Sequence, residues 1–347
     1  MREAHFTELR KIAIAEVAPP ALERDDHVKV QIDRVGICGS DVHYYLHGRI
    51  ADRVVQYPAT LGHECAGTIV EAGANAGLEP GTRVAVDPAL TCGQCDQCRS
   101  GRSNTCRELL FLGSPGEAPG AVADFHVLPA KNCLPIPDSL SLDDAALIEP
   151  LSVGLHSVNL GALVAGERIG ILGCGPIGLS VLLCANATTE ALTTYMTDLL
   201  PYRLAAAQTC GANWAGNANE PVVDPVLEQE PFGLNCVFEC SGDPACIDQA
   251  MRMLAPGGRL IMVGIPAQPD LTFDVHRMRT SELTFRNVRR QEACMEPAIR
   301  MMAEGTINAG PLVTHHFPLD QIEPAFEMVA AYEDSVIKAM LNLTDAT

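Results

Sequence analysis

A tight cluster of four cysteines is the most specific chemical signal in this chain. They are Cys92, Cys95, Cys98 and Cys106. Thiolates two residues apart can converge on a tetrahedral zinc ion at about 2.3 Å per bond, and four of them leave no open position. The sequence therefore predicts a structural zinc site. Two disulfides or four unrelated thiols are disfavoured, because the turn formers Gly93, Gly101 and Ser103 separate the cysteines.

A second set of metal-binding residue types lies upstream of the cluster. Cys38, His63 and Glu64 offer a thiolate, an imidazole and a carboxylate. Three protein ligands leave one position open for water or a substrate oxygen, which is typical of a catalytic zinc site. Without further context, a cysteine and a histidine such as Cys38 and His63 are more often a buried thiol and a hydrogen-bonded core histidine than metal ligands. Their sequence neighbours favour the metal interpretation.

A glycine motif predicts a dinucleotide site in the second half of the chain. In the G-C-G-P-I-G run, Gly173 permits a tight turn, Gly175 a close approach to a pyrophosphate, and Gly178 close packing of helix on strand. Asp198 ends the next predicted strand, where a carboxylate can bind ribose hydroxyls and repel a 2′-phosphate. The motif therefore favours NAD over NADP, although Arg203 nearby keeps NADP open.

The elements that must position these residues have two different patterns. Up to about residue 150, short strands and turns predict a β-rich domain, with Val28, Val30 and Ile32 alternating with polar neighbours. From residue 167 onward, strands and helices alternate, which predicts a parallel, doubly wound α/β sheet. The predicted segments are strands at 168–172, 193–198, 235–240 and 259–264, and helices at 176–187, 201–210 and 244–254. Periodicity does not place the last sixty residues.

Charge and composition exclude several function classes. The 24 basic and 43 acidic residues give a net charge of −19, which disfavours nucleic acid and anionic membrane surfaces as partners. No apolar stretch reaches the roughly 18 residues needed to span a membrane. The charged N-terminal segment and the 14 scattered cysteines predict a protein of the reducing cytoplasm.

Several strings taken together resemble one family along essentially the whole chain. They are G-I-C-G-S-D-V-H at 36–43, G-H-E at 62–64, the cysteine cluster, E-P-L-S-V-G-L-H at 149–156 and the glycine motif at 173–178. Their order and spacing resemble the zinc-dependent medium-chain dehydrogenases, and most closely the sorbitol and xylitol dehydrogenase branch. Threonine dehydrogenases are similar at 38–43 and at the cysteine cluster, but differ at 149–152.

The resemblance implies three segments and their cofactors. Residues 1–152 would form a GroES-like zinc-binding catalytic domain, 153–287 a Rossmann NAD-binding domain, and 288–347 a C-terminal segment that returns to the catalytic domain. The expected cofactors are NAD, one catalytic zinc ion and one structural zinc ion. The family also implies a homo-oligomer, either a dimer or a tetramer, and a small-molecule polyol as the substrate.

Residue roles follow from the same resemblance. Cys38, His63 and Glu64 would be the catalytic zinc ligands, and Glu149 would reach the zinc directly or through its water. The resemblance leaves open whether Glu64 or Glu149 binds the zinc ion directly. Ser40 and His43 resemble the proton relay, and Tyr44, Glu149 and Arg286 resemble substrate-binding residues. The expected cofactor residues are Gly173, Gly175, Ile177, Gly178, Asp198, Arg203, Val263, Gly264 and Ile265.

These residues predict hydride transfer from a secondary alcohol of a polyol to NAD+, giving a ketose. Asn287 stands where the branch usually has a tyrosine after Phe285 and Arg286, so the polyol and its oxidised carbon stay open. Two alternatives remain at this point. One is a threonine-type amino-alcohol dehydrogenase, and the other is a zinc-stabilised protein that binds NAD without turnover.

Overall fold

The computed structural model describes residues 1–266, 268 and 270–344. It divides into two compact units. Unit 1 comprises Met1–Glu149, Met295–Gly305 and the chain from Ala309 onward, and unit 2 comprises Pro150–Cys294 and Thr306–Asn308. Within the described residues, none of the helices has the length and apolar character needed to cross a membrane.

The elements up to the first long helix are mostly short strands. They are β1 (Arg2–Glu8), β2 (Lys11–Glu16), β3 (His27–Gly36), α1 (Gly39–His47), β4 (Arg49–Ile50), β5 (Arg53–Val54), β6 (Glu64–Ala72), β7 (Arg83–Val86), β8 (Ala89–Leu90), α2 (Asp96–Arg99), β9 (Leu110–Phe111), β10 (Phe125–Pro129), β11 (Cys133–Pro135) and α3 (Leu142–Gly161).

Strands and helices then alternate before two further strands close the chain. They are β12 (Arg168–Leu172), α4 (Pro176–Thr188), β13 (Thr193–Asp198), α5 (Pro201–Thr209), β14 (Trp214–Asn217), α6 (Val223–Gln229), β15 (Leu234–Glu239), α7 (Pro244–Met253), β16 (Leu254–Met262), α8 (Val275–Thr280), β17 (Thr284–Asn287), α9 (Met295–Ala303), β18 (Val313–Pro318), α10 (Ile322–Ala331) and β19 (Lys338–Asn342).

The central strand of unit 1 is β3, which pairs antiparallel with β6, β10 and β19. Its alternating residues Val28, Val30 and Ile32 are fully buried in the core, as the period of two predicts. The last strand, β19, aligns Met340 opposite Gly36 at the end of β3. The C-terminal segment, which periodicity does not place, therefore reaches the end of β3 from which α1 begins.

Unit 2 contains a six-stranded parallel sheet in the order β14-β13-β12-β15-β16-β17. The first strand, β12, lies between β13 and β15, so the chain direction across the sheet reverses beside it. In open sheets of this order, ligands bind at the carboxyl ends of the strands near the reversal. The predicted α/β fold class is confirmed, and the glycine motif directly follows β12.

The predicted strand at 235–240 is shifted by one residue in the structure, to Leu234–Glu239, and another predicted strand has clearly different bounds. The sequence predicts residues 259–264, whereas β16 runs from Leu254 to Met262. Its pairing with β15 shifts register between Leu234 and Cys236, which accommodates the Pro-Gly-Gly segment inside the strand. Val263 and Gly264 therefore lie beyond the carboxyl end of the strand, where a cofactor segment is expected.

Candidate active site

Cys38, His63 and Glu64 come together in unit 1. Cys38 is the N-cap of α1, whereas His63 and Glu64 lie where β6 begins. One donor atom of each residue lies within 4.8 Å of the other two. Bonds of about 2.0–2.3 Å to a single zinc ion would keep such donors within that span. The three side chains therefore fit a zinc ion that has a position left for a further ligand.

Asp41 orients His63 and was not identified from the sequence. The Nδ1 atom of His63 lies 3.5 Å from Asp41 Oδ1, so Nε2 is the ring nitrogen that could bind a metal. The buried Asp41 carboxylate also accepts the N–H groups of Cys38 and Gly62, each at 3.4 Å. Its place three residues after Cys38, where it caps α1, was a signal that the sequence offered.

The electrostatics around His63 suit a cation. Burial by itself lowers the pKa of His63, but Asp41 and Cys38 outweigh burial and raise it well above its usual range. The surroundings of the imidazole thus stabilise positive charge. Because a metal ligand must be deprotonated, a bound cation would take the place of this proton.

Lys338 is a second residue that the sequence reasoning missed. Its Nζ lies 2.5 Å from Glu64 Oε2 and donates to the carbonyl oxygen of Ile37 at 3.1 Å. The side chains of both Lys338 and Glu64 are at most 2 % exposed. A side chain at Gly36 would collide with the Glu64 carboxylate. A lysine inside the apolar run V-I-K-A-M-L was the available sequence signal, since lysine is seldom fully buried without a partner.

Replacing Lys338 with methionine is expected to lower the free energy of unfolding of the zinc-free protein by about 3–5 kcal/mol, because Glu64 would then stay buried without a cationic partner. Chemical denaturation of the variant measures this change. Lys29→Met is the matched control: Lys29 pairs with Glu71 at 2.6 Å, but that glutamate is about half exposed. Its effect is expected to stay below about 1 kcal/mol. Equal losses in the two variants would contradict a structural role for the buried pair.

Glu149 lies near Cys38, His63 and Glu64, but its carboxylate is not among the donor atoms that lie within 4.8 Å of one another. It belongs to α3 and is 6 % exposed. Burial raises the pKa of Glu149 to about 7. The positive charges of His63 and Lys338 lower this pKa, whereas the negative charge of Glu64 raises it. Glu149 is therefore a carboxyl group that can donate or accept a hydrogen bond near neutral pH.

The first turns of α1 carry the expected relay and substrate residues. The Oγ of Ser40 donates to Cys38 Sγ at 3.3 Å. Burial lowers the pKa of His43, and the neighbouring His47 ring, 5.6 Å away between centroids, lowers it further. Tyr44 is 7 % exposed, and burial raises its pKa. Ser40 and Tyr44 are four residues apart, so they lie on one face of the helix.

The four-cysteine cluster also has the geometry of a zinc site. The Sγ–Sγ distances are 3.6 Å for Cys95 to Cys98, 3.5 Å for Cys106 to Cys92, 3.9 Å for Cys95 to Cys106 and 4.0 Å for Cys92 to Cys98. A tetrahedron with 2.3 Å Zn–S bonds has edges of about 3.8 Å. Backbone N–H groups, first that of Arg107, lower the pKa of Cys95 to about 6. The cluster fits one closed zinc site.

The glycine motif in unit 2 has the geometry that close packing requires. Gly173 adopts φ of 101°, a left-handed conformation that favours glycine. A side chain at Gly178 would collide with the carbonyl oxygen of Gly173. Helix α4 has Gly175 as its N-cap, with Pro176 at its first position and Ile177 after it. Its N-terminal N–H groups are therefore available for phosphate binding.

Asp198 is the last residue of β13, beside the glycine turn. Its Oδ2 accepts the N–H of Cys174 at 2.7 Å, and its Oδ1 accepts the N–H of Leu200 at 2.9 Å. Two backbone donors thus fix the carboxylate at the carboxyl end of the sheet. Arg203 in α5 lies near the position that a Cβ of Gly175 would occupy, at 3.5 Å. A cation therefore stands next to the predicted phosphate site.

The segment that follows β16 is held by Glu239. The backbone oxygen of Glu239 accepts the N–H groups of Val263 at 2.8 Å and Gly264 at 2.9 Å. Its buried carboxylate accepts the Ser241 hydroxyl at 2.6 Å and the Gly242 N–H at 2.8 Å. Glu239 was not singled out from the sequence, yet it joins the ends of β15 and β16.

Two further predicted residues occupy different surroundings. Ile265 is 53 % exposed and follows Gly264 at the end of the same segment. Arg286 lies on β17 in unit 2, where its Nη1 donates to the carbonyl oxygen of Leu160 at 3.0 Å. Arg286 thus contacts the backbone of α3.

Comparisons with known proteins agree with this geometry. The family model of the alcohol dehydrogenase GroES-like domain matches residues 24–138, and that of the zinc-binding dehydrogenases matches residues 176–304. A sorbitol dehydrogenase of Bacillus subtilis (strain 168) is 36% identical, over 98% of this chain and 97% of that protein. An L-idonate 5-dehydrogenase of Vitis vinifera is 35% identical, over 91% and 88%.

A solved structure extends the likeness to three dimensions. An alcohol dehydrogenase of Escherichia coli CFT073 in complex with NADH has a TM-score of 0.90 and 26% sequence identity, and the match covers 99% of each chain. Two family models and relatives that span nearly the whole chain lead to one conclusion. This protein belongs to the zinc-dependent medium-chain alcohol dehydrogenases, within their sorbitol dehydrogenase branch.

Proposed function

We propose that this protein transfers hydride from a secondary alcohol of a sorbitol- or xylitol-like polyol to NAD+ and releases the ketose. The observation that carries the proposal is the meeting of Cys38, His63 and Glu64 at one buried position beside Ser40. The relatives are named for sorbitol and for the polyhydroxy acid L-idonate, which favours a polyol over an amino alcohol. An NAD-binding protein without turnover would not need an open ligand set.

The chain's own residues would bind the substrate and move one proton. When bound, zinc would stabilise negative charge on the substrate oxygen, and NAD would accept the hydride. Ser40 would take the hydroxyl proton, and His43, one turn later on α1, would pass it to solvent. Burial and the neighbouring His47 lower the pKa of His43, which favours the neutral imidazole that can accept that proton. Glu149 and Tyr44 would hydrogen-bond the substrate hydroxyls.

We also propose two zinc ions per chain, with distinct tasks. The closed cluster at 92–106 would hold the structural ion, and the set of Cys38, His63 and Glu64 would hold the catalytic one. Glu64 is our choice for the inner ligand, because Glu149 lies outside the three donor atoms that come together. We assign catalysis to residues 1–152 with 288–347, and cofactor binding to residues 153–287.

A substrate panel and a metal assay test this function. The purified protein is assayed with sugar alcohols, threonine and simple secondary alcohols, each with NAD and with NADP, and its zinc content is measured. We expect turnover of a polyol with NAD and about two zinc ions per chain. Preference for threonine would favour the amino-alcohol alternative. One zinc ion per chain without turnover would favour a binding protein.

The choice of NAD rests on Asp198 and gives a separate prediction. In Asp198→Ala/Leu199→Arg, the carboxylate that repels a 2′-phosphate is gone and the exposed neighbouring position carries a cation. We expect the ratio of kcat/KM with NADP to that with NAD to rise at least tenfold. Leu199→Arg alone is the control, and its ratio should change less. An unchanged ratio in the double variant would remove Asp198 from the ribose site.

A further inference from the structure

Four polar side chains of unit 1 form a cluster that the proposed mechanism does not fully use. They are Tyr44, Arg53, Ser114 and Glu117. The Nη1 of Arg53 donates to Ser114 Oγ at 2.9 Å and also pairs with the Glu117 carboxylate. Tyr44 adjoins this group, because burial raises the pKa of its hydroxyl whereas Arg53 and Ser114 lower it. Helix α1, strand β5 and the loop after β9 each contribute to this group, which we call the Arg53 cluster.

Two short paths connect the Arg53 cluster to the candidate metal ligands. Along α1, Tyr44 lies one turn beyond Ser40, whose hydroxyl contacts Cys38. Along the loop, Phe111 precedes Ser114 by three residues, and its ring centroid is 5.2 Å from that of His63. A single residue therefore lies between the Arg53 cluster and each of two proposed ligands: Ser40 on the path to Cys38, and Phe111 on the path to His63.

The Arg53 cluster is half enclosed, and two of its four residues line a groove. Ser114 is 7 % exposed, whereas the Arg53 side chain is 39 % exposed and the Glu117 side chain 12 %. Ser114 and Glu117 line a groove of about 370 Å³ together with Glu3 and His5. Polar side chains of the cluster can thus meet a polar molecule that enters from this side.

The charges of the cluster and groove favour an uncharged occupant. The guanidinium of Arg53 is neutralised by Glu117, and Glu3 adds a further carboxylate to the groove. A carboxylate or phosphate on the substrate would therefore meet acidic groups with no excess of cationic ones. A neutral hydroxyl, in contrast, can accept from Arg53 and donate to Glu117, so both of its hydrogen-bonding roles are satisfied.

We propose that the Arg53 cluster selects the substrate: it binds hydroxyls remote from the reacting carbon and restricts the enzyme to uncharged polyols over aldonates and sugar phosphates. This inference rests on the proposed polyol dehydrogenase function. Its physical basis is that buried polar groups reject a substrate that leaves them unpaired or opposed by like charge. Arg53 and Glu117 are thus specificity-determining residues, whereas the proposed chemistry belongs to the metal site and the relay.

The test is Glu117→Gln, which keeps the side-chain shape but leaves the Arg53 cation unneutralised. We expect the ratio of kcat/KM for L-idonate to that for the best neutral polyol to rise at least tenfold. In Arg53→Gln/Glu117→Gln the ratio should return to within about threefold of the wild-type value. Glu71→Gln, the same change in a surface pair with Lys29, should leave the ratio unchanged. A ratio that moves less than twofold in Glu117→Gln overturns the proposal.

A second measurement covers the case in which Glu117→Gln fails to fold. Ser114→Ala should reduce kcat/KM for sorbitol at least tenfold more than for butane-2,3-diol, because the short diol has no hydroxyl to reach the cluster. Equal losses on both substrates overturn the proposal. Failure of the proposed function is distinguishable, since the wild-type protein would then oxidise no polyol at all, and the present inference would fall with it.

Discussion

His63→Ala is expected to reduce kcat on the best polyol by several orders of magnitude while the dissociation constant of NADH changes less than about threefold. His63 offers a donor atom within 4.8 Å of those of Cys38 and Glu64, so its loss leaves two protein ligands. Metal catalysis supplies several kcal/mol of transition-state stabilisation, and each 1.36 kcal/mol corresponds to a factor of about ten in rate. The proposed cofactor residues all belong to unit 2.

Steady-state kinetics, NADH fluorescence titration and zinc analysis measure the three quantities. His27→Ala is the matched control. His27 begins β3 and pairs with Asp26, at the opposite end of the strand from Gly36, which lies beside Glu64. The control should retain nearly full activity and zinc content. If His63→Ala retained more than about a tenth of the wild-type activity, the metal set at Cys38, His63 and Glu64 would not be the catalytic centre.

Cys92→Ser is expected to lower the midpoint of thermal unfolding or the soluble yield strongly, with one zinc ion lost per chain. The four Sγ atoms lie at the edge lengths of a zinc–thiolate tetrahedron, and metal binding at such a site contributes directly to folding. The ratio of NAD to NADP efficiency should stay unchanged, because the site is closed and offers no position to a substrate.

Differential scanning fluorimetry and metal analysis measure these effects. Cys210→Ser is the control, since this partly buried thiol lies outside both metal sets in the described residues. The control should keep its full zinc content and lose far less stability. A Cys92→Ser variant with wild-type stability and zinc content would show that the cluster holds no structural metal.

Local patterns were sufficient for much of the nucleotide-binding fold. The strand from Arg168 to Leu172 and the strand from Thr193 to Asp198 have the bounds that the sequence predicts. Proline at the first helical position and glycine at turns with positive φ act on the backbone within a few residues, so their effect is readable from the chain. The spacing of the four cysteines is likewise a local property.

The surroundings of the proposed metal ligands depended on contacts between distant parts of the chain. Lys338 and Ile37 are 301 positions apart, yet the pairing of β19 with β3 places the lysine against Glu64. Periodicity reports which face of an element is apolar, not which strand it pairs with. The pairing of distant strands is decided when their apolar faces are buried together.

The sequence by itself thus determined the residue types, the glycine turn and the cysteine spacing. The tertiary structure decided that Glu64 has a buried cation as its neighbour and that Asp41 orients His63. It also decided that Arg53 is neutralised by Glu117. These are pairs of charges, and their energies depend on distance and burial. The distance between two charges and their burial are fixed only when the chain folds. In the unfolded chain, water screens the same charges.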